Sequence, residues 1–216
     1  MASTASLRQS PLAHLGLAGR AQAGLQGAGL GLSLRPPRGL VDLRVDLDRE
    51  PAAAAAVERA LGVPLPLQPN TASAAAGTRV LWLGPDEWLV VVDDPDPQTG
   101  PDTVAKLRQA LSAHFAAAVD VSGAQAVIGV TGPLAREVLE RAVPLDMDAR
   151  EFTAGQVKQT AFGRHCGATL HLLDAGTGEL GPTFDLYCRR SFAEYVWRYL
   201  EDCAAGAETQ SAVLEG

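Results

Sequence analysis

Aromatic side chains, lysine and cysteine are scarce in this chain of 216 residues. Aromatic residues make up 5% of it and hydrophobic residues 47%, so Leu, Val and Ala must fill most of the core. Cys166, Cys188 and Cys203 are widely spaced and form no C-x-x-C pair, which favours reduced thiols in a cytoplasmic protein over a disulfide framework. No run approaches the roughly 20 apolar residues that a membrane span requires.

Acidic residues are absent before Asp42, although the rest of the chain is rich in them. The segment up to Val41 carries +4, and since the whole chain carries −7, the remainder carries −11. A body of that charge argues against a nucleic-acid-binding protein, because phosphates require a basic surface. The basic segment could dock on an acidic partner, or it could be a flexible terminus with few charges.

Nucleophilic and nucleotide-binding motifs are missing as well. The sequence contains no G-x-S-x-G and no P-loop, and Ser122 has no base beside it. The run Gly27-Ala28-Gly29-Leu30-Gly31 is similar to a dinucleotide-binding loop. No predicted strand precedes it, however, and Pro36-Pro37 blocks a following helix. We therefore interpret the run as low-complexity sequence.

A group of possible zinc ligands lies at His165, Cys166 and His171. Their spacing matches no zinc finger or ribbon, and a structural zinc ion usually has four protein ligands. The sequence therefore gives no support for a metal site, and we assign none.

Hydrophobic periodicity predicts an α+β protein. Strands are expected at 40–47, 79–83, 87–93, 118–121, 126–130, 156–162, 168–173 and 183–188, and helices at 50–62, 102–115, 131–142 and 192–203. Residues 1–38 are expected to form a low-complexity, extended or flexible arm, 39–205 the globular domain, and 206–216 a disordered tail.

The two halves of the globular domain are similar. Val57-Glu58-Arg59-Ala60-Leu61-Gly62-Val63-Pro64-Leu65 recurs, two residues shorter, as Leu139-Glu140-Arg141-Ala142-Val143-Pro144-Leu145. The order of predicted elements is also alike in residues 39–116 and 117–205. The sequence therefore predicts duplicated strand-helix-strand-strand-helix units packed as one body.

The segment from Trp82 to Trp88 is the most distinctive in the chain. Its Gly84-Pro85-Asp86-Glu87 sequence is typical of a turn, and the apolar residues on both sides predict a β-hairpin. Asp86 and Glu87 could form an acid/base pair in a cleft, or they could be solvated turn residues. The sequence shows no further group that would support acid/base chemistry, so we favour the turn.

Candidate interaction residues cluster near the last helix. Adjacent arginines such as Arg189 and Arg190 can clamp a carboxylate or pair with an acidic partner. Tyr195, Trp197 and Tyr199 cannot all face one side of a helix, so at least one should face solvent or an interface. We assign Arg189, Arg190, Tyr195 and Trp197 to a candidate interface, and no catalytic, cofactor-binding or metal-binding residue.

A set of ordered motifs resembles the gamma-subunit family of heterotetrameric sarcosine oxidase. The motifs are Ser10-Pro11-Leu12-Ala13-His14, Pro69-Asn70-Thr71, Trp82-Leu83-Gly84-Pro85-Asp86-Glu87-Trp88, Asp120-Val121-Ser122, Thr131-Gly132-Pro133-Leu134-Ala135-Arg136-Glu137-Val138-Leu139, Pro144-Leu145-Asp146 and Pro182-Thr183-Phe184-Asp185-Leu186-Tyr187-Cys188-Arg189-Arg190-Ser191-Phe192-Ala193. Together they cover about residues 6–205.

The resemblance implies a fold like the folate-binding domain of the glycine cleavage aminomethyltransferase. It implies a cytoplasmic complex with alpha, beta and delta subunits that oxidises sarcosine to glycine and hydrogen peroxide and passes the one-carbon unit to tetrahydrofolate. FAD, FMN, NAD and tetrahydrofolate are expected in the partner subunits and not in this chain. Two alternatives remain, a stand-alone folate-binding or one-carbon transfer module and a scaffold of an unrelated pathway that shares the fold alone.

Overall fold

The computed structural model describes residues 9–17, 29–176 and 181–214, with side chains described as far as Ala207. The chain forms two compact units. The continuous unit is Pro36–Ala124, and the discontinuous unit combines Met1–Arg35 with Gln125–Gly216.

The elements follow one another in the order β1 (Gly31–Leu34), β2 (Gly39–Val45), α1 (Ala53–Leu61), β3 (Ala72–Ala75), β4 (Thr78–Gly84), β5 (Glu87–Val92), α2 (Thr99–Ala110), β6 (Ala116–Asp120), β7 (Gln125–Thr131), α3 (Ala135–Ala142), β8 (Val157–Phe162), β9 (Cys166–Asp174), β10 (Thr183–Arg189) and α4 (Ala193–Leu214). Short 3-10 helices lie at Ala13–Leu15 and Arg190–Phe192. No helix in the described ranges is both long and apolar enough to cross a membrane.

The continuous unit is an antiparallel sheet with two helices. Its strands lie in the order β3-β4-β5-β2-β6. Alternate residues of β2 and β5, including Val41, Leu43 and Trp88, form a core with the buried faces of α1 and α2. Helix α1 is Ala-rich, which favours a helix, and it ends where Gly62 takes a left-handed φ of 72° and donates its N–H to the carbonyl of Glu58.

The discontinuous unit repeats this layout. Its sheet has the order β1-β7-β10-β9-β8, and helices α3 and α4 pack on one face of it. Phe152 and Phe184 meet edge to face in the core, with ring centroids 5.6 Å apart. Strand β1 is antiparallel to β7, with Leu32 opposite Val130.

The two sheets share one order of elements. Strands β2, β3, β4 and β5 correspond to β7, β8, β9 and β10, with a helix after the first and last strand of each set. The fifth strand of each sheet comes from the segment just before the other set: β1 precedes β2 but pairs with β7, and β6 precedes β7 but pairs with β2. Each sheet is therefore completed by a strand that is adjacent in sequence to the first strand of the other sheet.

This arrangement corrects the predicted repeat. The expected boundary at 116/117 falls at 124/125, because β6 completes the sheet of the continuous unit. The predicted repeat also omitted β1 and β3. The part of the arm at Gly31–Leu34 is a paired strand, whereas Gly27 and Ala28 lie outside the described residues. Packing of both halves as one body stays a prediction.

Helix ends and the tail also differ from the predictions. The helices expected from 102 and from 131 begin elsewhere: α2 starts already at Thr99, and α3 starts at Ala135 after Leu134. Helix α4 continues to Leu214, so the prediction of disorder after 205 is wrong for the described part. Its buried alanines, Ala204 and Ala207, extend the inner face of the helix beyond its aromatic residues.

Candidate functional site

Ser122, which the sequence leaves without a neighbouring base, has a structural role. It lies just after β6, and its hydroxyl accepts the N–H of Leu40 at 2.9 Å and contacts Asp120 Oδ1 at 2.5 Å. Val121 in turn donates its N–H to the carbonyl of Leu40 at 2.8 Å. Ser122 thus replaces the second main-chain hydrogen bond of a strand pair, and Asp120 orients its hydroxyl.

The possible zinc ligands do not converge. Cys166 packs against the helix-covered core, while His171 is five residues further along β9 and so faces the opposite side of the sheet. His165 is exposed and its ring lies 5.5 Å from that of Tyr195. The described residues contain no cluster of three metal-ligating side chains.

The thiols are poor nucleophiles. Burial raises the pKa of Cys188 to about 12, and burial also raises the pKa of Cys166 and of Cys203. Burial therefore disfavours the thiolate of each cysteine, which is the form needed for covalent chemistry.

The Trp82–Trp88 hairpin is confirmed. Trp82 and Trp88 are opposite each other on β4 and β5, and the buried Trp88 donates Nε1–H to the carbonyl of Pro66 at 2.9 Å. At the tip, Glu87 Oε2 lies 2.7 Å from Arg44 Nη2, and Asp86 is exposed. The carboxylates belong to a surface ion-pair network, which agrees with a turn and not with an acid/base pair.

The arginines of the candidate interface have different surroundings. Arg189 is exposed, whereas the Arg190 guanidinium donates to the main-chain carbonyl of Gln9. Nearby, Leu12 is buried and His14 Nε2 lies 3.0 Å from Glu194 Oε2. Residues 9–17 therefore lie along the start of helix α4, and Arg190 holds them there.

Trp197 must be removed from the candidate interface. It is 3% exposed, and its Nε1–H donates to Glu201 Oε1 at 2.9 Å, so the ring packs in the core. Tyr195 is half-buried, accepts the N–H of Arg164 at its hydroxyl, and meets the ring of Phe162 edge to face. Tyr195 fixes the turn between β8 and β9.

A shallow polar groove of about 220 Å³ lies beside Arg189. It is lined by Gln125, Gln159, Thr160, Gly167, Ala168, Thr169, Tyr187, Cys188 and Arg189. Ligand sites for small molecules usually enclose ~300–1,000 Å³.

A buried ion pair in the discontinuous unit could not be found from sequence. Asp185 on β10 is 1% exposed, and its Oδ1 accepts from Arg35 Nε at 2.6 Å. The two residues are 150 positions apart. Gly129 is opposite Asp185 on β7, and a Cβ there would lie 2.6 Å from the Arg35 guanidinium. The missing side chain of Gly129 gives Arg35 access to Asp185.

A second feature missed from sequence lies before β6. Phe115 was expected as the last residue of the helix at 102–115, but α2 ends at Ala110 and Phe115 is 87% exposed. Glu50 holds this turn with both oxygens: Oε2 lies 2.6 Å from His114 Nδ1, and Oε1 accepts the N–H of Phe115 at 3.2 Å. These hydrogen bonds lower the pKa of Glu50, with that of His114 contributing most.

The chain matches a known protein family. The family model for the sarcosine oxidase gamma subunit matches residues 45–206. The chain belongs to this family. The resemblance predicted from the ordered motifs is thereby confirmed.

Known gamma subunits of sarcosine oxidase match this chain over nearly its whole length. The gamma subunit of sarcosine oxidase from Arthrobacter sp is 33% identical, over 91% of this chain and 90% of that protein. The gamma subunit from Corynebacterium sp. (strain P-1) is 31% identical over the same shares. A similar structure is a chain of the heterotetrameric sarcosine oxidase from Corynebacterium sp. U-96, solved in complex with pyrrole 2-carboxylate. It is 29% identical to this chain and superimposes with a TM-score of 0.77. The match covers 93% of this chain and 96% of that chain.

Proposed function

We propose that this gamma-family chain is a non-catalytic subunit of a heterotetrameric sarcosine oxidase. In the proposed complex, alpha, beta and delta subunits are its partners, and the alpha and beta subunits hold FAD, FMN, NAD and tetrahydrofolate. The complex oxidises the N-methyl group of sarcosine with oxygen, which yields glycine and hydrogen peroxide, and the one-carbon unit passes to tetrahydrofolate. We place the complex in the cytoplasm.

The match to a chain of a solved heterotetramer carries this proposal, because it extends over 93% of this chain. The geometry supports a structural role. Ser122 completes a strand pair, Glu87 pairs with Arg44, and Trp197 packs in a core. In each case the side chain that sequence marked for chemistry or contact stabilises the chain's own fold.

The shared order of elements supports a further part of the proposal. We infer that the chain arose by duplication of a unit with two strands, a helix, three strands and a helix, whose first strands are exchanged between the copies. The relation to the folate-binding domain of the aminomethyltransferase belongs to the same proposal, since that fold is also a duplicated α+β unit.

Co-expression tests the proposal directly. The alpha, beta and delta subunits are produced with and without this chain and purified through a tag on alpha. We expect a flavin-containing complex with sarcosine-dependent peroxide formation when the chain is present, and loss of assembly or of activity when it is omitted. Full activity and unchanged size of the complex without the chain would contradict the proposal.

Binding of tetrahydrofolate can be tested separately for this chain and for the complex. Titration of the isolated chain with tetrahydrofolate should show no saturable binding, whereas the assembled complex should bind it. Saturable binding to the isolated chain would instead favour the stand-alone folate-binding module.

A further inference from the structure

Arg189 lies in the shallow polar groove on the sheet of the discontinuous unit. Phe184, Leu186 and Cys188 of β10 point into the core that α3 and α4 cover, so Arg189 points to the other face of the sheet by alternation. On that face it is opposite Gln125 of β7. We call this space of about 220 Å³ the Arg189 groove.

The Arg189 groove exists because the two strands beyond β10 carry almost no side chain at this level. One step past the pair Cys188 and Ala168, the residue next to Arg189 on β9 is Gly167. Opposite Gly167 on β8 is Ala161. A glycine and an alanine therefore leave the floor of the groove open beside the guanidinium.

The next row of side chains forms the inner wall of the groove. Tyr187 is opposite Thr169, and Thr169 is opposite Gln159, so the three side chains follow one another across β10, β9 and β8. Tyr187 is buried, whereas Thr169 and Gln125 are half-buried and Gln159 is exposed. The hydroxyl and amide groups can donate hydrogen bonds, and a guanidinium donates to a carboxylate in a planar fork. The lining thus suits a carboxylate.

The cation in the groove has no counterion within the described part of its own chain. The guanidinium of Arg189 has no hydrogen bond or ion pair with a described residue, and the same holds for that of Arg164. Arg164 lies in the turn between β8 and β9, at the end of the sheet where β10 stops. Acidic residues outnumber basic ones by 25 to 18 in this chain, yet none in the described ranges neutralises this pair. The groove therefore belongs to a positive surface on an acidic chain.

A carboxylate in the Arg189 groove must be held by further contacts elsewhere. An exposed ion pair contributes little to affinity, so one guanidinium in a shallow groove would not retain a small free acid. A carboxylate on a docked protein is different, because the surrounding interface excludes water and strengthens the pair. A second copy of this chain is disfavoured as that protein, since two bodies of net charge −7 repel each other.

We infer that the Arg189 groove receives an aspartate or glutamate side chain of a partner subunit of the oxidase, with Arg189 as its counterion. This inference rests on the proposed function, since it requires that a partner subunit exists. It goes beyond that function by naming the groove, the cation and the chemistry of the partner's residue.

Chemical coupling tests for the carboxylate directly. Arg189→Lys keeps the positive charge and places a primary amine in the groove. A water-soluble carbodiimide joins such an amine to a carboxylate in contact with it as an amide and takes up the water that is lost. The only other lysines are Lys106 and Lys158, so few side chains of the chain compete.

The coupling is carried out on the complex of the Arg189→Lys variant with the alpha, beta and delta subunits, and the products are identified by mass spectrometry. We expect position 189 to be joined to an aspartate or glutamate of a partner subunit. The wild-type complex, treated in the same way, should give no product at 189. Absence of any coupling from position 189, or coupling only to this chain, would overturn the inference.

Competition during assembly measures how much the contact contributes. Wild-type chain and Arg189→Glu, with different tags, are co-expressed with the partner subunits, and their ratio in the complex is divided by their ratio in the unassembled pool. We expect at least tenfold depletion of the variant, which corresponds to about 1.4 kcal/mol, because two carboxylates would then face each other. Arg59→Glu is the matched control: Arg59 is exposed on α1 and has no ion pair with a described residue. It should enter the complex as well as wild type.

A variant that fills the groove separates binding from folding. A Cβ at Gly167 would meet only the Thr160 carbonyl, at 3.6 Å, and the φ of Gly167 lies outside the left-handed region. Gly167→Leu should therefore be at least as stable as wild type in thermal unfolding, since glycine weakens a strand. It should nevertheless be depleted from the complex at least tenfold, because its side chain occupies the place of the carboxylate.

The outcomes separate the inference from the function it rests on. If wild-type chain is not recovered with the partner subunits, the proposed function fails. If wild type is recovered and either Arg189→Glu or Gly167→Leu enters the complex equally well, the inference is overturned while the function stands. Depletion of Arg59→Glu to the same extent as Arg189→Glu would also overturn it, since assembly would then respond to charge at any site.

Discussion

At the scale of single residues, Gly129 decides whether a buried carboxylate keeps its counterion. Asp185 is 1% exposed, and breaking a buried ion pair by displacing one partner is strongly destabilising. The side chain of Arg35 passes over Gly129 to reach Asp185, and Ser33 also lies next to Gly129. Any side chain at position 129 would therefore contact Arg35 and Ser33.

We therefore predict that Gly129→Ala destabilises the chain. The new Cβ would lie 2.6 Å from Arg35 Nε and from Ser33 Oγ, so both side chains must shift, and a shift of Arg35 disturbs its contact with Asp185. Overpacking of this kind typically costs about 1–3 kcal/mol. Urea unfolding followed by circular dichroism measures the loss. Gly123→Ala is the control, because a Cβ at 123 meets nothing within 4 Å. Equal stability of both variants would contradict the prediction.

Glu50 gives a residue-scale prediction in pH. Its pKa in the folded chain is below the usual 4.5, chiefly through the hydrogen bond with His114 and then through that with the Phe115 N–H. A lowered folded pKa contributes stability that is present above the unfolded value and is lost as pH falls through the folded value. The difference in unfolding free energy between wild type and Glu50→Gln should therefore shrink when the pH is lowered from 6 to below 4.5.

Glu58→Gln controls for the change in net charge, since Glu58 is an exposed residue of helix α1. A stability difference for Glu50→Gln that stays constant or grows as the pH falls would show that the Glu50 hydrogen bonds do not form as described.

These residues show the limit of the sequence at this scale. The hairpin around Trp88 could be predicted because its turn residues and its strands are adjacent in the chain. The Asp185–Arg35 and Glu50–His114 pairs join positions 150 and 64 apart, and neither member of a pair is unusual in its own segment. Trp197 was wrongly assigned to the interface for a related reason. Its ring is buried by strands that are distant in the sequence, so the helix segment alone does not show whether the ring is covered.

At the scale of elements, the long segment between α3 and β8 depends on one arginine of the helix. Arg136 donates to the carbonyl of Met147 at 2.7 Å and to that of Phe152 at 2.9 Å. Its guanidinium also lies over the ring of Phe184, 5.6 Å from the centroid. Helix α3 therefore positions a segment that has no regular structure of its own.

We predict that Arg136→Met lowers the free energy of unfolding by about 2–3 kcal/mol, because hydrogen bonds to a charged group contribute about 1.5–3 kcal/mol each and Met restores part of the apolar packing. Amide hydrogen exchange should rise between residues 143 and 156. Arg141→Met is the control, since Arg141 on the same helix pairs with Glu137 at the surface. Equal exchange in both variants would argue against the anchoring role.

Elements with strong periodicity were predictable, and those with weak intrinsic propensity were not. Strands β2, β5 and β7 contain runs of Val, Leu and Ile and were found from sequence. Strand β3 is Ala-Ser-Ala-Ala, a composition with low strand propensity, and it forms because β4 offers a partner for it. The end of α2 was placed too late because Phe115 continues the helical spacing of Leu107 and Leu111, although the chain has already turned toward β6.

At the scale of the whole molecule, the N-terminal segment is part of the discontinuous unit. Strand β1 pairs with β7 from Gly31↔Thr131 to Leu34↔Ile128, and the N–H of Arg35 continues the ladder to Val127 at 2.9 Å. Leu30 and Leu32 are buried in the core of that unit. This pairing could not be predicted, because Gly-rich sequence around β1 gives no strand signal and its partner is about a hundred residues away.

We predict that deletion of residues 1–35 prevents the discontinuous unit from folding. Removal of β1 would leave the apolar strand β7 as an open edge, uncover the core beneath Leu30 and Leu32, and leave Asp185 without Arg35. The deleted chain should be recovered as aggregate, whereas deletion of residues 1–8 should leave a soluble protein with native near-ultraviolet circular dichroism. A peptide of residues 29–38 added during refolding should restore part of the soluble fraction by strand addition. A soluble, cooperatively unfolding chain after deletion of 1–35 would show that the exchanged strand is not required for the unit it completes.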